Sequence, residues 1–156
     1  MRNFKEKTVG GAVIMGRKTL ESLPGGKTLE DRVNIVMSKN PANVDAEFHC
    51  KASGGRARPL VCSNLDELAL CLKRLKLPNG NIWVVGGAEI LRLLSPYCEE
   101  AHVTRVLAAV SDADARAEDM DRLKGWKLTE RGAVRKWEGL RFRFDRYKNI
   151  SVKQLC

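Results

Sequence analysis

Val13-Ile14-Met15-Gly16-Arg17-Lys18-Thr19 decides how this chain is read. An apolar strand runs into a glycine, then two cations, then a hydroxyl residue at the start of a short helical pattern. A helix N-terminus offers N–H groups and the positive end of its dipole to an anion. Gly16 lets a ligand approach the backbone closely, and Arg17 and Lys18 add positive charge. A second junction of the same kind, Val84-Val85-Gly86-Gly87-Ala88-Glu89, ends another apolar strand. Two such junctions in one small chain point to a phosphorylated cofactor lying across the ends of a sheet. The plainer alternative is that both are tight turns only.

Upstream of the first junction, Arg2 to about Thr8 reads as a helix stopped by Val9-Gly10-Gly11. Downstream, a helix is predicted near 18–23, then a turn at Pro24-Gly25-Gly26 and a polar loop over 27–31. Val33 to Met37 is a buried strand. Residues 39–58 read as surface loop, with a short strand near Glu47–Cys50. Ser63, with an acid three residues on, is the expected cap of the next helix. That helix has Leu65, Leu68, Leu72 and Leu75 along one face. Ile82–Val85 is a strand, Gly87–Leu94 a helix and Ala101–Ala109 a strand. Leu140 to Tyr147 alternates strictly, as a half-exposed antiparallel strand does, with residues 126–130 as its partner. Strands alternating with helices, then antiparallel strands, make a mixed α/β sheet.

The totals fit that class. A chain of 156 residues with 44% apolar content can bury a core as one globular domain. No apolar run approaches a membrane span, and the polar N-terminus is unlike a signal peptide. The five cysteines form no CxxC pair and no metal spacing, which fits reduced thiols in a cytosol. His49 and His102 are too isolated for a zinc site, so no metal is expected. The net charge of +9 is spread along the chain without interleaved aromatics, so it suits small anionic ligands at least as well as nucleic acid.

At this point the chain resembles dihydrofolate reductase of the bacterial type, from Phe4 to Tyr147. The blocks that carry the resemblance are Phe4-Lys5-x-x-Thr8, Val13 to Ser22, Arg32 to Ser38, Val84 to Ile90, and Val103-Thr104. Their order and spacing match together. The resemblance implies a three-layer α/β/α fold over residues 1–148, with a central, mostly parallel mixed sheet, an antiparallel C-terminal strand and a tail from 149. It implies reduction of 7,8-dihydrofolate to tetrahydrofolate by hydride transfer from NADPH. Dihydrofolate and antifolates are the implied partners. A cytoplasmic monomer without nucleic-acid or membrane partners is expected.

Residue by residue, the resemblance seats the cofactor on Gly16, Arg17, Lys18 and Thr19, with Ser38 and Lys39 toward a 2′-phosphate. Gly86-Gly87 matches a position where the family has a cis peptide, and Gly87, Ala88, Glu89 and Ile90 would cover the pyrophosphate. On the folate side Phe4 would pack against the rings, with Ser22, Leu23, Leu29 and Val85 lining the slot. Arg32 matches the arginine that clamps the α-carboxylate of the glutamate tail, where a planar fork of donors suits a planar acceptor. Thr104 matches the threonine that bonds the catalytic acid and the pterin amino group. Each residue has a plainer reading. Phe4 and Leu29 could be core, Ser22 a surface residue, Arg32 a solvated cation, and Thr104 an ordinary strand threonine.

The chain also departs from the pattern. The family's first strand, its loop over the nicotinamide and its catalytic acid have no counterpart. The acid is expected just before Met1, and a natural product longer by roughly 30–45 residues upstream is expected from the missing strand, loop and helix turn. Leu91 stands where the family usually has a tyrosine, and Asp114–Glu118 replaces an aromatic block. Impaired turnover of this chain is therefore expected. The competing functions are a riboflavin-pathway NADPH reductase of the same fold, a non-catalytic nucleotide-binding remnant and, on charge alone, a basic nucleic-acid-binding protein.

Overall fold

The computed structural model describes residues 2–42, 44, 58–111, 113 and 116–155. They form two compact units, one built on Met1–Leu91 and one on Arg92–Gln154. The strand expected near Glu47–Cys50 lies outside the described residues, as does part of the Asp114–Glu118 segment.

The first unit opens with α1 (Arg2–Thr8) and passes through Gly10, at φ 77, into β1 (Ala12–Gly16). Then come α2 (Arg17–Ser22), a 3₁₀ turn over Pro24–Gly26, β2 (Val33–Met37), β3 (Leu60–Cys62), α3 (Leu65–Arg74) and β4 (Ile82–Gly86), followed by α4 (Ala88–Leu94). The four strands form a parallel sheet in the order β3-β2-β1-β4. β1 is central, and its residues Ala12 to Met15 are buried. A continuous apolar run is what a strand covered on both faces needs. The core joins Val13 and Met15 of β1 to Leu20, Val36 and Val44, with Leu23, Leu29, Val61, Trp83 and Val85 packed against it.

Register does the positioning. Gly16 lies beside Met37, and Met15 beside Gly86. The ends of β1, β2 and β4 therefore share one edge of the sheet, and residues 16–19, 38–39 and 86–90 leave from it. Arg32 precedes Val33, the partner of Ala12, and so sits at the opposite edge. Four strand steps of about 3.3 Å put roughly 13 Å between the two edges.

α3 is capped one residue later than the expected Ser63. The Asn64 side chain accepts the Glu67 N–H at 2.9 Å, and the Ser63 N–H donates to the Glu67 carboxylate at 2.7 Å. This is a capping box displaced by one position. Asn64 wins because its longer side chain reaches the amide while Ser63 still precedes the first turn.

The second unit holds β5 (Glu100–Val106), β6 (Trp126–Arg131), β7 (Arg135–Trp137) and β8 (Leu140–Asn149). β8 pairs antiparallel with the other three, and β6 contains the partner segment expected at 126–130. The α/β class with parallel and antiparallel strands is as expected, but the strands divide into two sheets. Among the described residues no strand pairs with the free side of β4 or with the free side of β5.

A polar knot holds the second unit together. The buried Asp145 carboxylate accepts two bonds of 2.9 Å from Arg143 Nε and lies 3.4 Å from Arg105 Nε. Arg105 also donates to the Asp121 carboxylate at 3.0 Å and to the buried Tyr147 hydroxyl at 3.1 Å, and that hydroxyl donates to Asp121 at 2.7 Å. Burial raises the Asp145 carboxyl and is the largest single effect, but the Arg143 guanidinium, the Gly132 N–H and Arg105 together outweigh it and hold the carboxyl below the ordinary carboxylate value.

Candidate active site

The two glycine junctions meet. A Cβ placed on Gly16 would lie 3.1 Å from Ile90 Cγ1 and 3.9 Å from the Gly87 nitrogen. One placed on Gly87 would lie 3.3 Å from Thr19 Oγ1. Gly86 has φ 130, and the Gly86-Gly87 peptide is cis, as the sequence led one to expect. The tight-turn alternative accounts for either junction alone. It does not account for their bringing residues 16–19 and 86–90 together at the carboxyl ends of parallel strands, the usual position for a ligand in such sheets.

The chemistry of this edge suits an anion. Gly16 caps α2 with extended backbone and no side-chain bond, so no side chain of its own occupies the first turn. Arg17 is ion-paired with Glu21 one turn on, which aligns it along the helix. Lys18 and Lys39 are exposed, as is Glu89, while Thr19, Ala88 and Ile90 are partly buried. Ser38 is fixed through its backbone, whose N–H donates to the Cys62 carbonyl at 3.0 Å. Burial, with Cys71 beside it, pushes the Cys62 thiol up to about 12, so this neighbour stays neutral at pH 7. A dinucleotide with phosphates fits these residues. A Cβ at Gly16 would crowd Ile90, and one at Gly87 would crowd the Thr19 hydroxyl, so each glycine is what lets the two turns close up.

At the opposite edge a second group assembles. Arg32 Nη1 donates to Thr8 Oγ1 at 3.0 Å, and that hydroxyl donates to the Phe4 carbonyl at 2.9 Å. Arg32 Nε donates to the Glu30 carbonyl at 2.7 Å. Neither acceptor of Arg32 is a carboxylate, so its charge is held in place without being neutralised by these bonds. Phe4 is 38% exposed, which rejects the core reading for that residue. Leu23, Leu29 and Val85 are only partly buried against the core, so for them core and slot lining coincide. Ser22 is exposed, its hydroxyl turned back to the Thr19 carbonyl at 2.7 Å.

Thr104 belongs to the second unit, where it is exposed on β5 opposite Phe144. The remaining candidates lie in the first unit. Sequence reasoning assigned no role to Thr8 or Asn34. Asn34 is buried, and its side chain holds the 29–32 loop. A signal was present, because an asparagine inside an apolar strand runs against strand preference and needs partners.

The family model described as "Dihydrofolate reductase" matches residues 1–149. The chain is 36% identical over 145 residues to the dihydrofolate reductase of Neisseria meningitidis serogroup B, covering 92% of this chain and 78% of that one. It is 32% identical over 152 residues to that of Mycobacterium tuberculosis H37Rv, covering 93% and 79%. Among solved structures, Enterococcus faecalis dihydrofolate reductase complexed with NADP(H) and RAB-propyl superposes with a TM-score of 0.71. It is 21% identical, over 94% of this chain and 79% of that one, a likeness of fold.

Proposed function

The chain belongs to the dihydrofolate reductase family, and from that premise we propose that it reduces 7,8-dihydrofolate to 5,6,7,8-tetrahydrofolate with NADPH. The observation that carries this reading is the convergence of the two glycine junctions on one sheet edge, with a tethered arginine beside Phe4 at the other. An extended cofactor and an extended substrate need such separated anchors, so that their reacting rings meet between them.

NADPH, when bound, supplies the hydride that passes to the pterin. Gly16 to Thr19 and Gly86 to Ile90 receive its phosphates, with Arg17 near the adenosine end, and Ser38 and Lys39 help hold the 2′-phosphate. Phe4, Ser22, Leu23, Leu29 and Val85 give the folate rings an apolar slot that excludes water. Arg32 receives the tail carboxylate. Thr104, by family likeness, bonds the pterin amino group. The family model runs through both units without a break, which supports reading residues 1–148 as one catalytic domain followed by a tail. A cytoplasmic monomer without nucleic-acid or membrane partners completes the reading. Its support is that the described residues contain three free cysteines and, among them, no helix long and apolar enough to cross a membrane.

The test is steady-state oxidation of NADPH and of NADH with dihydrofolate. The expected result is turnover that requires dihydrofolate, with kcat/KM about ten- to a hundredfold higher for NADPH, the worth of a charge-assisted bond to the extra phosphate. Equal use of both cofactors contradicts the assignment of Arg17, Ser38 and Lys39.

A further inference from the structure

We infer that Asn34 is a positioning residue for the folate tail, a role that rests on the reading of Arg32 given above. Its carboxamide is buried inside β2. Oδ1 accepts the Leu29 N–H at 2.9 Å, while Nδ2 donates to the Leu29 carbonyl at 2.8 Å and to the Arg32 carbonyl at 3.0 Å. The side chain presents Leu29 with the donor and acceptor that a neighbouring strand would offer, and uses its last hydrogen on Arg32.

The loop needs this hold. Asp31 takes a left-handed backbone conformation at φ 60, which costs free energy for a residue with a Cβ. Its carbonyl accepts the Gly10 N–H at 2.8 Å, a backbone tie to the segment after α1. Asn34 pins the residues on either side of that strained point. A relay of bonds then runs from Asn34 to the Arg32 backbone, from the Arg32 guanidinium to Thr8, and from Thr8 to Phe4. Nη2 and the second Nη1 hydrogen lie outside those bonds, so the end of the guanidinium is placed for a carboxylate. Asparagine is required by the pattern of partners. Aspartate would set a carboxylate against two carbonyls, and leucine would take its side-chain partner from each of three part-buried backbone groups.

The prediction is selectivity by ligand. Asn34→Ala should weaken methotrexate, which carries a glutamate tail, by about ten- to a hundredfold. A 2,4-diaminopyrimidine without a carboxylate and NADPH should each change by less than about threefold. Asn34→Asp, which keeps the volume, should show the same tail-selective loss at neutral pH. In the Arg32→Ala background Asn34→Ala should add little, because the two act through one group. Equal losses for all three ligands, or additive losses in the double variant, overturn the inference. If Arg32→Ala itself shows no preference for the tail-bearing ligand, the reading of Arg32 fails first and the inference falls with it. Should neither Asn34 variant fold, hydrogen exchange in the unaltered chain decides. A slowly exchanging Leu29 amide is expected, and exchange at the rate of an open loop overturns the proposal.

Discussion

Leu91 is one residue at which this chain departs from the family resemblance read in the sequence. It is exposed, on α4, one turn beyond the Gly86-Gly87 junction. Where the family usually has a tyrosine, leucine offers neither an aromatic face nor a hydroxyl to a ring bound nearby. An aromatic contact is worth about 0.5–1.5 kcal/mol beyond area burial, which corresponds to roughly two- to tenfold in rate. Leu91→Tyr is therefore predicted to raise the single-turnover rate of hydride transfer by that factor. A rate left unchanged would mean that residue 91 does not face the reacting rings. At this scale the sequence was informative wherever a residue has one job. Gly16 and Gly87 could be picked out as points of close approach, and a Cβ at either would crowd Ile90 or Thr19. Asn34 stands out as an asparagine inside an apolar strand, but its partners could not be assigned, because they are backbone atoms and leave no mark on the pattern of side chains.

The elements were legible where periodicity was strong. β1, β2, β4 and β8 follow from apolar runs or strict alternation, and their ends fall within one or two residues of those expected. Caps were harder to place, because Ser63 and Asn64 are both good capping residues and only the geometry of the first turn separates them. Asn64→Ala should cost about 1 kcal/mol, seen as a lower denaturant midpoint with an unchanged slope. Ser63→Ala should cost less, since alanine keeps the backbone N–H that bonds Glu67 and loses only the hydroxyl's contacts with Glu67 and with Asn64 Nδ2. Equal losses would restore Ser63 as the cap. Strand pairing beyond nearest partners was not legible. Nothing in the local pattern of β4 or β5 says which strand lies on its other side; the family resemblance alone led one to expect two unpaired sheet edges.

For the molecule as a whole, the glycine junctions and Arg32 belong to the first unit, and Thr104 and the buried Asp145 carboxylate to the second. Asp145 is held below its ordinary carboxylate value, so its ionised form favours the folded state. That contribution is fully present above the unfolded value of about 4 and is lost as pH falls through the lower folded value. The melting temperature should therefore fall as pH drops below about 4. Asp145→Asn should be destabilised at pH 7, by about 3–5 kcal/mol if the arginines are left without their partner, and should lack that acid-dependent segment. An Asp145→Asn profile parallel to the unaltered chain would place the acid sensitivity elsewhere.

The central claim is that one chain binds a phosphorylated nicotinamide dinucleotide at the joined glycine turns with a folate-like ligand alongside. The most direct measurement is a fluorescence titration of NADPH with and without methotrexate. Saturable NADPH binding is predicted, tightened by methotrexate, with methotrexate binding tightened by NADPH by the same factor, as linkage requires. NADPH binding that is absent, or indifferent to methotrexate, would contradict the account.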